Sequence, residues 1–135
     1  MTSTYIWLPG QPVGKGRPRF TRTGRVYTPE KTRRYEHRLA GTASNYMLLH
    51  QLDCTEKPCK VLIKAQFEIP KSWTKAKKAA AEANEIYPKK PDADNIAKIV
   101  LDSLNSIIWD DDAQVYDLRV IKTYGDPCLV TEITW

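Results

Sequence analysis

The chain has 135 residues, 41% hydrophobic and 27% charged, with a formal net charge of +5. That length suits one domain whose core needs no disulfide staples, and the apolar content excludes a disordered tail. No apolar run approaches the roughly 18 residues that span a bilayer, and Met1 to Leu8 has no charged leader, so neither an anchor nor a signal peptide is expected.

Tyr5-Ile6-Trp7-Leu8 predicts a first strand, stopped by Pro9-Gly10. A loop rich in glycine, proline and arginine follows, to about Tyr27. Thr28-Pro29 predicts a helix start, with Thr28 as N-cap and Pro29 at the first helical position. Tyr35, Leu39, Ala43, Tyr46 and His50 recur every three or four residues, so the helix runs to about Leu49. His37 and His50 lie on it as packing or surface residues. Cys54, Cys59 and Cys128 are odd in number and lack the second pair of a zinc site, so they read as reduced thiols of a cytosolic protein.

Lys60 to Ile69 alternates: Val61, Ile63, Ala65, Phe67 and Ile69 face one way, and Lys60, Lys64, Gln66 and Glu68 the other. That is a strand with one wet face. Pro70 ends it. Ser72 caps a short helix to about Asn84, where Lys71, Lys75, Lys77 and Lys78 form either a phosphate contact or a solvated face. A further helix is predicted from about Asn95 to Ser106, then strands over Gln114 to Lys122 and Cys128 to Trp135, joined at Gly125-Asp126-Pro127. The sum is an α+β single domain, a mainly antiparallel or mixed sheet of about four strands packed with helices.

The positive charge is local. Lys15, Arg17, Arg19, Arg22, Arg25, Lys31, Arg33 and Arg34 share their stretch with one acid, Glu30, giving +7, while the rest of the chain carries 13 basic and 15 acidic residues. A polyanion partner follows, with Lys15, Arg17, Arg19, Arg22 and Arg25 as candidate phosphate contacts. Phe20 and Tyr27 either stack on opened bases or pack on the protein.

The sharpest signal is acidic. Asp92-Ala93-Asp94-Asn95-Ile96-Ala97-Lys98 places Asp94 at or beside a helix N-terminus, with Asp92 two residues earlier in extended chain. The helix has a buried stripe of Ile96, Ile99, Val100, Leu104 and Ile107. Its polar stripe is Asn95, Lys98, Asp102 and Asn105, which sets Lys98 on the side of the acids. After Trp109 come Asp110, Asp111 and Asp112. Adjacent carboxylates repel unless a cation offsets them, and magnesium is the usual hard ion beside phosphate. An EF-hand is excluded: counted from Asp92, Ala97 stands where glycine is required and Ser103 where glutamate is required. A capping turn and a solvated loop are the bland alternatives.

At these residues the sequence resembles the RusA family of Holliday junction resolvases. The pattern Asp-x-Asp-Asn-x-x-Lys stands as Asp92 to Lys98, and Asp-Asp-Ala-Gln-Val as Asp111 to Val115. Asp102 and Leu104 fit the helix that follows the first motif. Gly16-Arg17-Pro18-Arg19-Phe20 and Val26-Tyr27-Thr28-Pro29 are similar to members found in phages and prophages. The resemblance implies a homodimer that binds a four-way DNA junction and makes paired, religatable nicks in opposed strands. It implies catalytic roles for Asp92, Asp94, Asp112 and Lys98. Asp92, Asp94 and Asp112 would hold magnesium, with manganese as a substitute, and Asp111 is second choice for the third ligand. Two other readings stay open: a metal-dependent nuclease for flaps or forks, and a DNA-binding protein without catalysis.

Overall fold

In the computed structural model, which describes residues 1–135, strand periodicity decides which face of the sheet is buried. β1 (Ser3–Pro9) turns Thr4, Ile6 and Leu8 inward and leaves Tyr5 and Trp7 half exposed. β4 (Cys59–Phe67) buries Val61, Ile63, Ala65 and Phe67, as its alternation predicts. β6 (Cys128–Thr134) buries Leu129, Thr131 and Ile133. These join β5 (Val115–Tyr124) in one sheet of order β1-β6-β4-β5. β6 is antiparallel to β1 and β4, whereas β4 and β5 are parallel, so the sheet is mixed. A parallel pair needs a crossover, and here α2 (Lys75–Glu82) and α3 (Ala93–Leu104) supply it.

Two helices cover the buried face. α1 (Glu30–Leu49) contributes Tyr35, Leu39, Ala43 and Met47, and α3 contributes Ile96, Ile99, Val100 and Leu104. Each large apolar side chain buried this way stabilises by about 1.5–3 kcal/mol. Trp109 is fully buried below them and donates its indole N–H to Asn105 Oδ1 at 2.8 Å. No helix is long and apolar enough to cross a membrane.

Several boundaries differ from the sequence reading. Pro29, not Thr28, is the N-cap of α1, because its ψ of 143° is still extended. Thr74, not Ser72, caps α2 and accepts from the Lys77 amide at 3.2 Å. The strand expected to reach Ile69 stops at Phe67. α3 starts two residues early, at Ala93, and stops at Leu104. Asn105 turns extended, and Ser106 (φ 67°) closes the turn by donating its amide to Trp109 O. The arginine-rich loop holds a hairpin, β2 (Arg19–Phe20) with β3 (Val26–Tyr27), turned at Gly24 with φ 82°. Its strands are too short for periodicity to show.

Candidate active site

Asp92 is the N-cap of α3 and Asp94 lies in its first turn. The helix therefore begins before Asp94, and the two carboxylates are not an extended pair. Both instead stand among the free amides and partial positive charge of a helix start. Asp92 makes no cap bond; its Oδ1 lies 3.0 Å from Lys90 Nζ at the surface. Lys98 is exposed, four residues after Asp94, one turn along the same side.

The loop before β2 is clamped against this end of α3. The Lys15 amide donates to Asn95 O at 2.9 Å. The Gly16 amide donates to Thr32 Oγ1 of α1 at 3.1 Å. Gly14 lies so close to α3 that a Cβ there would come within 2.6 Å of Pro91 Cβ. The result is a cleft of about 670 Å³ whose walls include Arg17, Arg19 and Lys31 on one side and Lys90, Asp92 and Asn95 on the other. Basic segment and first acidic motif, 75 positions apart from Arg17 to Asp92, line one opening.

The five candidate phosphate contacts divide. Arg17, Arg19, Arg22 and Arg25 are exposed. Lys15 is spent inside the fold, 3.0 Å from Glu36 Oε1 and 3.2 Å from Asp102 Oδ2. Burial alone would lower its pKa, but hydrogen bonds and charge from Glu36 and Asp102 outweigh this and hold it above the usual lysine value. The polar stripe of α3 thus meets Lys15 through Asp102. Lys31, in the first turn of α1, was visible only as one more charge in the basic run; the fold puts it in the cleft. Phe20 and Tyr27 are 70% and 45% exposed, so neither belongs to the core and each keeps accessible ring surface.

The three consecutive aspartates have three different surroundings. Asp110 Oδ1 accepts from the Cys54 thiol at 3.3 Å; burial first and then this carboxylate push that thiol up to about 11. Asp111 caps the short 3-10 turn Asp112–Gln114, accepting from the Ala113 amide at 3.2 Å. Gln114 completes the box: its Oε1 accepts from the Asp110 and Asp111 amides, and its Nε2 donates to Thr55 O and Lys57 O. Asp112 is half buried at the start of the turn and its carboxylate makes no hydrogen bond or ion pair. Of the two candidates for third ligand, Asp111 is the one already occupied.

One chain does not gather Asp92, Asp94 and Asp112. No group of three or more His, Cys, Asp or Glu side chains is placed to hold an ion. Lys122 Nζ, near the C-terminal end of β5, donates to Lys89 O at 3.1 Å and Pro91 O at 3.2 Å, which fixes Asp92 beside that end. The aspartate run precedes the N-terminal end of β5, below the other end of α3, where Trp109 meets Asn105. The twelve residues of α3 separate the two places, about 18 Å at 1.5 Å per residue.

The family model described as Endodeoxyribonuclease RusA matches residues 9–134. The chain belongs to the RusA endodeoxyribonuclease family. That match covers the basic loop, both acidic motifs and every strand except β1, of which it reaches only Pro9. The chain is also similar to the uncharacterized protein YqaN of Bacillus subtilis strain 168. The two are 37% identical over 123 residues, 87% of this chain and 84% of that protein. The RusA match agrees with the motif resemblance at Asp92 to Lys98 and Asp111 to Val115.

Proposed function

We propose that this RusA family member is a magnesium-dependent endonuclease that binds four-way DNA junctions as a homodimer and nicks opposed strands in pairs. The observation that carries the reading is the shared cleft: Asp92 on one wall, Arg17, Arg19 and Lys31 on the other. A phosphodiester backbone drawn in by the basic wall runs past Asp92, with Asp94 two residues on in the first turn of α3. The exposed arginines hold flanking phosphates, and Phe20 and Tyr27 offer free faces to bases opened at the branch. No helix is built for a membrane, and three free thiols suit the reducing cytoplasm where such DNA is found.

Asp92 and Asp94 supply two carboxylates at one helix start, which suits magnesium, an ion usually held by one or two carboxylates with water and substrate oxygens completing the shell. When bound, the ion supplies a Lewis acid that activates water and offsets charge at phosphorus. Lys98, a turn below Asp94, neutralises charge on the phosphoryl oxygens. Gln114 and Asp111 set the turn that presents Asp112. Because Asp112 lies at the far end of α3 from Asp92, the third carboxylate of each site comes from the other subunit. Two such sites related by a two-fold axis match the near two-fold symmetry of a junction.

The test is a synthetic four-way junction beside a matched linear duplex, a flap and a fork, each with and without magnesium. Paired symmetrical nicks in the junction alone, dependent on the metal and lost in Asp94→Asn while binding persists, are expected. Preference for the flap or fork, or undiminished nicking by Asp94→Asn, would overturn the assignment.

A further inference from the structure

From Leu118 onward, the helix-covered face of β5 carries a single charge. Val120, Lys122 and Tyr124 stand level with Ile63, Ala65 and Phe67 of β4, which are all buried. Val120 and Tyr124 pack against the core, as that face requires. Lys122 lies between them, half-buried, where an apolar side chain would fit. Its ammonium forms no ion pair with any carboxylate of the chain. A part-buried charge is costly unless it is hydrogen-bonded, and Lys122 Nζ meets that cost with backbone: it donates to Lys89 O at 3.1 Å and to Pro91 O at 3.2 Å. An inward charge on an outer strand can serve simply to deter further pairing. A deterrent has no need of two carbonyls from one three-residue segment.

That segment leads straight into Asp92. On one side Pro91 is packed so closely by Gly14 that a Cβ there would lie 2.6 Å from its ring. Lys122 holds its carbonyl. The next residue, Asp92, starts α3 by accepting the Asn95 and Ile96 amides on its own carbonyl, each at 3.1 Å. Its carboxylate makes no cap bond, and its one partner is the exposed ammonium of Lys90. The direction of that carboxylate is therefore set by the backbone beneath it, and Lys122 ties that backbone to the sheet.

We propose that Lys122 is a positioning residue for the cleavage reaction: through the carbonyls of Lys89 and Pro91 it holds Asp92 where the carboxylate meets the metal ion. This rests on the metal site proposed above. Lys122 touches neither metal nor phosphate in this role. It resembles the outer partners of metal ligands in general, whose loss weakens metal binding although the ligands remain.

The test uses the full chain and Mn²⁺ as the probe, with binding read by electron paramagnetic resonance and cleavage read separately. Lys122→Met keeps the apolar stem and removes the donor. It should weaken manganese binding on the order of ten- to a hundred-fold and raise the magnesium concentration that half-saturates cleavage. Junction affinity without metal, and its salt slope, should not change. Lys122→Arg, which can also donate to two carbonyls, should recover most of the metal affinity. In an Asp92→Asn background, Lys122→Met should have no further effect on manganese binding, whereas a folding defect would lower it in both backgrounds alike. Wild-type manganese affinity in Lys122→Met, an equal loss in both backgrounds, or a salt slope reduced by about 0.9, the mark of a direct phosphate contact, overturns the assignment. Magnesium-dependent junction cleavage by a Lys122→Met variant equal to wild type removes this role and leaves the resolvase reading standing. Manganese binding that depends on Lys122 through Asp92, in a chain that cuts no junction, does the reverse.

Discussion

The ammonium of Lys15 lies 3.2 Å from the carboxylate of Asp102, which ties the basic loop to α3 about two turns below Asp94. Glu36 of α1 closes the other side at 3.0 Å, so one cation joins the loop to both covering helices. Lys15→Met should therefore lower stability by about 1–3 kcal/mol in urea unfolding, because two part-buried carboxylates lose their donor. The pH dependence has a definite sign. With its folded pKa raised above 10.5, the contribution of Lys15 is complete below that value and fades only as the pH climbs past it. A midpoint unchanged by the substitution at pH 7 would show that the ion pair merely balances its desolvation.

Asp111 and Asp112 can be separated by opposite responses. Asp111→Ala removes a cap and should cost about 0.5–2 kcal/mol of stability, with cleavage falling only as far as the turn loosens. Asp112→Asn removes a carboxylate that the fold does not use, so unfolding should not move while junction cleavage falls by orders of magnitude. Chemical denaturation read beside cleavage rates decides between them. Full activity in Asp112→Asn, with Asp111→Asn inactive but stable, would move the third ligand to Asp111.

Much of this was legible beforehand, for identifiable reasons. Alternation in Lys60 to Phe67 and the spacing of Tyr35, Leu39 and Ala43 record burial directly, and burial is what shapes those elements. The acidic motifs were legible because their side chains serve no core. Register and direction were not: the same alternation suits parallel and antiparallel partners, so nothing local in Val115–Tyr124 announced its parallel pairing with β4. The role of Lys15 was equally hidden. Its acids, Glu36 and Asp102, are 21 and 87 positions away, and within the basic run it looks like its neighbours. Asp112 was set with Asp92 and Asp94 by the family motifs and by the repulsion of adjacent carboxylates, and neither says which end of α3 the aspartate run reaches within one chain.

Arg17 should act mainly through electrostatics. It lines the cleft and is exposed. Arg17→Ala should weaken junction binding and reduce the slope of log affinity against log salt by about 0.9, the value for one phosphate contact. The effect should be uniform across junction sequences, because phosphate contacts carry no base information. Fluorescence anisotropy over a salt series measures it. A slope equal to wild type would take Arg17 off the phosphate path, even if affinity had dropped.

Gly14 tests the clamp between loop and helix. A Cβ at this position would meet Pro91 Cβ at 2.6 Å, Pro91 Cγ at 3.1 Å and Asn95 Cβ at 3.3 Å. None of these atoms can swing away, since two belong to a proline ring and one is bonded to the helix backbone. Gly14→Ala should therefore push the loop off the start of α3, stretch the 2.9 Å bond from the Lys15 amide to Asn95 O, and cost about 1–3 kcal/mol. Cleavage should fall further than stability requires, because the basic wall and Asp92 move apart. Gly41, on the exposed side of α1, is the control: nothing lies within 4 Å of its added Cβ, and Gly41→Ala should stabilise by up to about 1 kcal/mol through helix propensity. Thermal unfolding of the two variants should shift in opposite directions. Equal shifts would mean that the loop rests on α3 without being held there, and the cleft would lose its fixed width.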